Sequence, residues 1–166
     1  MSGWPLPDAA TGTQESVWDY PRPAIMRPSR RHLRIVHKGK LLAETTEGLE
    51  TLETSHPPSY YFPVHSIAPQ ALRPAQRRSI CEWKGQARYF DVAVAGDRFP
   101  LVAWCYDKPT PAFAGILGHV AFYAAPFTEC TVDGERVVPQ PGGFYGGWIT
   151  SHVAGPFKGI PGSEGW

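Results

Sequence analysis

The stretch "SICEWKGQARYF" sets a thiol, a carboxylate, an indole and an amine in four consecutive positions, Cys81, Glu82, Trp83 and Lys84, just ahead of Gly85. Such a set could supply a thiolate nucleophile, or a Schiff-base or acid–base group at the lysine. A regular strand would part the set. Alternation puts Cys81 and Trp83 on one face and Glu82 with Lys84 on the other, so a thiolate held by Lys84 would need a bulge at Gly85. Without chemistry, Cys81 is a small buried hydrophobe, Trp83 a core or pocket wall, and Glu82 with Lys84 a solvated edge. Lys84 has a second use at the mouth of a cleft, its stem on aromatic surface and its ammonium free to meet an anion.

"ETSHPPSYYFP" is the second candidate. Glu53 and His56 stand three apart, and a carboxylate that orients an imidazole is a general-base arrangement. The bland alternative puts Glu53 at a strand end, His56 in solvent, and Tyr60 with Tyr61 on the sheet edge. Aromatic residues form the third feature. Trp83, Tyr89, Trp104, Tyr106, Phe122 and Tyr123 lie in segments that a β fold would gather, either as core or as the wall of a pocket for a planar or cationic molecule. The glycine-rich stretches "GGFYGGW" and "GPFKGIPGSEGW" carry one lysine, Lys158, and offer backbone amides to an anion. Neither has the phosphate-loop pattern, and a tail wrapping the body explains both.

The elements that must position these residues are short. The chain has 166 residues, enough for one domain with a real core. Its 18 prolines and 17 glycines are spread throughout, which favours strands joined by turns over long helices. Residues 1–30 read as an extended arm that packs late through Trp18 and Tyr20. "LRIVHKGKLLAET" is a hairpin around Lys38-Gly39, and "GLETLET" is a half-buried strand. "SIAPQALRP" has room for one helical turn. "ICEWKGQARYFDVAVAGDRFPLVAWCY" reads as a strand, a glycine interruption, a longer strand, a turn at "AGDR" and another strand. "PTPAFAGILGH" has a helical pattern, "HVAFYAAPF" returns to strand, and "CTVDGERVV" is a hairpin around Asp133-Gly134. Phe90, Val92 and Val94 share one side of their strand, with Tyr89 and Ala93 on the other. Strands apolar on both faces need cover on both, which favours two packed sheets or a tight barrel.

A formal net charge of +1 argues against a general nucleic-acid binder; the one basic cluster, "RPSRRHLR", reads as a solvated arm. No apolar run is long enough to span a membrane, and the first residues lack the order of a signal peptide, so the expected location is cytoplasmic. Cys81, Cys105 and Cys130 are widely separated and read as reduced thiols.

Four segments in fixed order, "ETSHPPSYYFP", "CEWKGQARYF", "AWCYDKPTPAFAGILGHVAFY" and "TVDGERVVPQPGGFYGGW", resemble the bacterial domain-of-unknown-function 427 family, from about Glu15 onward. The resemblance implies a β-tent-like fold, a pair of small antiparallel sheets leaning together, with one or two short helices. Relatives of that fold hold structural zinc with two Cys-x-x-Cys knuckles. No cysteine pair here has that spacing, so no metal is expected. The family has also been labelled a nucleotidyltransferase, but no glycine-rich phosphate loop or paired aspartates at two-metal spacing stand behind that label in this sequence.

The combined expectation is a β-tent-like domain over residues 31–148, with a packed tail over 149–166. An aromatic-lined cleft between the sheets takes a small polar or anionic metabolite. Lys84, Glu53 and Cys81 are the candidate catalytic residues. Trp83, Tyr89, Trp104, Tyr106 and Tyr61 line the cleft, and Arg31 or Arg78 anchors an anion. Any reaction is metal-free, cofactor-independent acid–base or addition–elimination chemistry. A non-catalytic recognition module for a ligand or peptide is the alternative, a structural partner in a larger assembly is a third, and a homodimer is left open.

Overall fold

Turn chemistry dictates most of the architecture. The structure, a computed structural model, describes residues 4–166. Along the chain the strands are β1 (Glu15–Ser16), β2 (Ile25–Ser29), β3 (Leu33–His37), β4 (Lys40–Thr45), β5 (Gly48–Leu52) and β6 (Ser59–Pro63). There follow β7 (Leu72–Cys81), β8 (Gly85–Val94), β9 (Asp97–Cys105) and β10 (His119–Phe122). The last are β11 (Glu129–Val132), β12 (Glu135–Arg136), β13 (Val138–Pro139), β14 (Trp148–Ile149) and β15 (Val153–Ala154). Three tight hairpins turn on Lys38-Gly39, Ala95-Gly96 and Asp133-Gly134, and both residues of each pair have positive φ, the backbone that matches the twist of the joined strands.

The protein is mainly β, as expected. Seven strands form one antiparallel sheet in the order β2-β5-β6-β10-β9-β8-β7, and four form another in the order β12-β11-β3-β4. The helices are short 3₁₀ turns at Val17–Asp19, Val64–Ser66 and Pro111–Ile116. The last has Pro111 at its start and a kink at Phe113. The supposed arm is partly built into the body: β2 pairs with β5 at the edge of the large sheet, and β1 pairs in parallel with β15 of the C-terminal tail. Tyr20 is buried there with Val17, Leu52 and Val153, and Trp18 packs against them.

Alternation along the strands gives the large sheet two different faces. Tyr60, Phe62, Phe90, Val92, Ala103, Cys105, Val120 and Phe122 point toward the four-stranded sheet, where they meet Leu33, Ile35, Leu42, Cys130 and Val132. Their neighbours Tyr61, Ala87, Trp104, Tyr106 and Ala121 point the other way and form a second apolar layer with Phe113 and Ile116. One expectation is thereby corrected. The space between the two sheets is no cleft, because bulky apolar side chains from both sheets fill it. The hollow that collects the aromatic and polar residues lies on the opposite face of the large sheet.

Candidate functional site

The tetrad at 81–84 is a hairpin tip rather than a strand. β7 ends at Cys81, which pairs with Gly85 at the start of β8, and Glu82, Trp83 and Lys84 form the three-residue turn between them. Gly85 has φ of 110°, and a methyl group there would meet the Lys108 carbonyl at 3.1 Å. Both observations require glycine. Thr110 fastens the tip: its backbone N–H donates to the Lys84 carbonyl at 3.0 Å and its hydroxyl to the Trp83 carbonyl at 2.6 Å. The turn breaks the alternation that would have separated thiol from amine. Cys81, Trp83 and Lys84 all line one cavity of about 310 Å³, whose sheet side includes Tyr61, Tyr89, Trp104 and Tyr106.

Lys84 is half-buried, and its ammonium lies 6.0 Å from the Tyr106 ring centre and 5.9 Å from that of Phe113. Among the described residues it has no ion-pair partner and no hydrogen-bond acceptor. Burial works to lower its pKa. Tyr61, Cys81 and Glu53 beside it work the other way, and the net direction is upward. Lys84 is therefore a cation at neutral pH, suited to holding an anion and poorly suited to attacking a carbonyl as a free amine.

Glu53 and His56 line the same cavity, brought there by Ser55, whose φ of 71° turns the chain sharply after β5. His56 Nε2 and Glu53 Oε2 are 3.7 Å apart, an orienting separation rather than a hydrogen bond. The tautomer follows from Gln140. Its Oε1 accepts the Gly147 N–H at 3.0 Å, so its Nε2 is the donor to His56 Nδ1 at 3.0 Å and to the Lys158 carbonyl at 2.9 Å. The His56 proton then sits on Nε2. Burial pushes the imidazole down to about 4; Glu53 opposes this, while Lys158, Lys84 and Arg22 add to it. His56 is thus a neutral N–H donor at neutral pH. The Lys158 ammonium also reaches the cavity, 5.6 Å from the Tyr145 ring centre, with a hydrogen bond of 3.0 Å to the Trp166 backbone oxygen.

Of the expected site residues, the structure brings Lys84, Glu53, Cys81, Trp83, Tyr89, Trp104, Tyr106 and Tyr61 to one cavity. Arg31 and Arg78 are not there. Arg31 pairs with Asp133 at 3.1 Å on the small sheet's hairpin, and Arg78 is exposed on the edge strand β7, bonded to the carbonyls of Ala75 and Arg77. Arg31 lies at the other sheet, and Arg78, although its β7 neighbours Ser79 and Cys81 line the hollow, does not line it. The cations at the cavity are Lys84 and Lys158 instead. Gln140, Tyr145 and Lys158 escaped the sequence reading as site residues. Their only signal was polarity inside glycine-rich stretches, Lys158 most visibly.

Burial holds the Tyr106 phenol protonated far above the usual range, with Tyr61 reinforcing it. Cys105 and Cys130 lie in the inter-sheet core, their thiols raised by burial to about 11 and about 12. Among the described residues no three His, Cys, Asp or Glu side chains cluster in a way that could hold a metal ion, and no helix is long and apolar enough to cross a membrane. What remains is a cavity with two lysines, of which Lys84 is unpaired, the acidic residues Glu53 and Glu82, a neutral imidazole donor, a thiol and phenols, walled by indoles.

No curated protein sequence matches the chain. Residues 25–136 match a family described as a domain of unknown function (DUF427). That stretch holds Glu53, His56, Cys81 and Lys84 and stops short of Gln140, Tyr145 and Lys158. The resemblance from about Glu15 onward is thus confirmed over a narrower span, and the chain belongs to the DUF427 family.

Proposed function

We propose that the chain binds a small anionic metabolite, a carboxylate or a phosphate, in the cavity on the outer face of the large sheet. The carrying observation is the Lys84 ammonium, half-buried over aromatic rings at the cavity and without a counter-ion among the described residues. A charge withdrawn from water is costly unless paired, so a bound anion is what would complete this site. The His56 Nε2–H and the Lys158 ammonium support the same reading as further donors to an anion. Glu53 extends it toward catalysis. It is the ionisable acid beside His56 in a hollow closed by rings, the position of a general base acting on a ligand whose charge rests on Lys84.

Titration with acetate and with inorganic phosphate, followed by the fluorescence of Trp83 and Trp104, tests the binding reading. The wild type should saturate with at least one of the two, and Lys84→Met should weaken that binding by roughly tenfold or more. Glu53→Gln should bind the anion as well as the wild type or better. Equal titrations of wild type and Lys84→Met would refute the proposal.

A further inference from the structure

A second hollow of about 390 Å³ adjoins the first. The two share the Tyr89 and Tyr123 rings on the sheet side and Gln140, Phe144, Tyr145 and Gly146 on the loop side. Their chemistry differs. The first contains the charged residues Lys84, Lys158, Glu53 and Glu82 and the neutral His56 imidazole. The second is lined by Leu101, Val102, Ala124 and Pro126, with Arg77 as its one charged residue, and Arg77 lies over the Tyr89 ring at 5.8 Å. Leu101 reaches that lining through a bulge between β8 and β9: its φ is 54° and its N–H donates to Asp91 at 3.0 Å. At the junction the Tyr123 hydroxyl donates to the Phe144 carbonyl at 2.8 Å, and Gly146 lies so close on Trp104 that a methyl group would overlap the indole. The shared wall is therefore aromatic on the sheet side and held in place on the loop side.

We propose that the two hollows are subsites for one ligand, an anion carrying a flat apolar body such as an aryl carboxylate. This rests on the anion reading of the first hollow. The charged end takes Lys84. The body runs past Tyr89 and Tyr123, whose ring faces suit a planar group, into the apolar hollow. Each hollow alone is near the small end of ligand pockets, and the pair reaches the range of a two-part molecule. A small polar metabolite would leave the second hollow without a role; an apolar molecule would leave Lys84 without one.

The test compares 2-naphthoate, its neutral amide and acetate by isothermal titration calorimetry, with Lys84→Met and Ala125→Trp. Ala125 is an exposed residue of the second hollow, so the indole should occupy that space and leave the core alone. In the wild type, 2-naphthoate should bind roughly tenfold or more tighter than acetate, from the apolar surface removed from water, and tighter than the amide by a similar factor. Ala125→Trp should erase the advantage over acetate and leave acetate binding as it was; Lys84→Met should weaken both acids. Equal affinities for 2-naphthoate and acetate in the wild type overturn the two-subsite inference and leave the anion site standing. An amide as tight as the acid, or 2-naphthoate indifferent to Lys84→Met, overturns the anion site itself. No heat with either acid at millimolar concentration overturns both.

Discussion

Acidification should strip about 3 kcal/mol from the fold through a single imidazole. His56 has an ordinary value of 6.5 and is held at about 4 in the folded chain, with burial as the main cause. Its side chain is 13% exposed, so solvent screens little of the effect. Between the two values the unfolded chain binds a proton that the folded chain refuses. The stabilisation from neutral His56 is thus complete above pH 6.5 and is lost as the pH falls toward 4. At about 1.4 kcal/mol for each tenfold change in proton affinity, the loss is about 3 kcal/mol. Urea unfolding of the wild type and of His56→Gln, at several pH values from about 7 down to about 4, isolates it, because every other titrating group is common to both proteins. The wild-type curve should converge on that of the variant as acid is added. An NMR titration of the ring supplies an independent reading, and Lys84→Met should shift the ring's midpoint upward, since the Lys84 charge is among those that lower it. Parallel stability curves, or a ring that titrates near 6.5, would refute the reasoning and with it the neutral donor at the site.

Two further outcomes test how the walls are held. Gly146→Ala should destabilise the protein by about 1–3 kcal/mol, since its methyl group must displace either the loop or the buried Trp104 ring; denaturation within about 0.5 kcal/mol of the wild type would contradict that contact. Thr110→Val keeps the side chain's shape and removes its bond to the Trp83 carbonyl. About 1 kcal/mol should be lost, with faster amide exchange at Gly85, and an unchanged exchange rate would mean that the tip is fastened by other contacts.

The strands were legible because their signals are local. Lys38-Gly39 and Asp133-Gly134 fix their turns through φ alone, and the division of Phe90 and Val92 from Tyr89 follows from the two-residue period. The location of the hollow was not legible, and the reason is physical. Strands apolar on both faces state that both are covered without stating by what. Here one face is closed by a whole sheet and the other only partly, by a hairpin tip and a glycine-rich loop. The tip itself was misread as strand, since a three-residue turn of Glu82, Trp83 and Lys84 has no residue of strong turn preference; only Gly85 marked it. Gln140 and Lys158 were beyond reach for another reason. Gln140 meets His56 across 84 residues of chain, and the Lys158 backbone N–H meets the Ser55 carbonyl across about 100; no periodicity records such contacts.

The treatment of half-buried cations separates this site from the rest of the described structure. Arg27 is tied to both Glu15 and Glu50, Arg88 meets Asp107 at 2.7 Å, and Arg98 meets Asp91 at 3.1 Å. In each of those contacts the guanidinium has at least one carboxylate partner. At the outer cavity the polar groups are fixed with equal care, Gln140 bonding three partners and Thr110 two, yet the fixing acts on the surroundings of Lys84 rather than on its ammonium. A structural role for that lysine would call for a carboxylate in contact, as at every one of those arginines. Rigid walls around an open cation preserve a shape whose last component comes from outside the chain, and such preorganisation makes the difference between a binding site and a salt bridge.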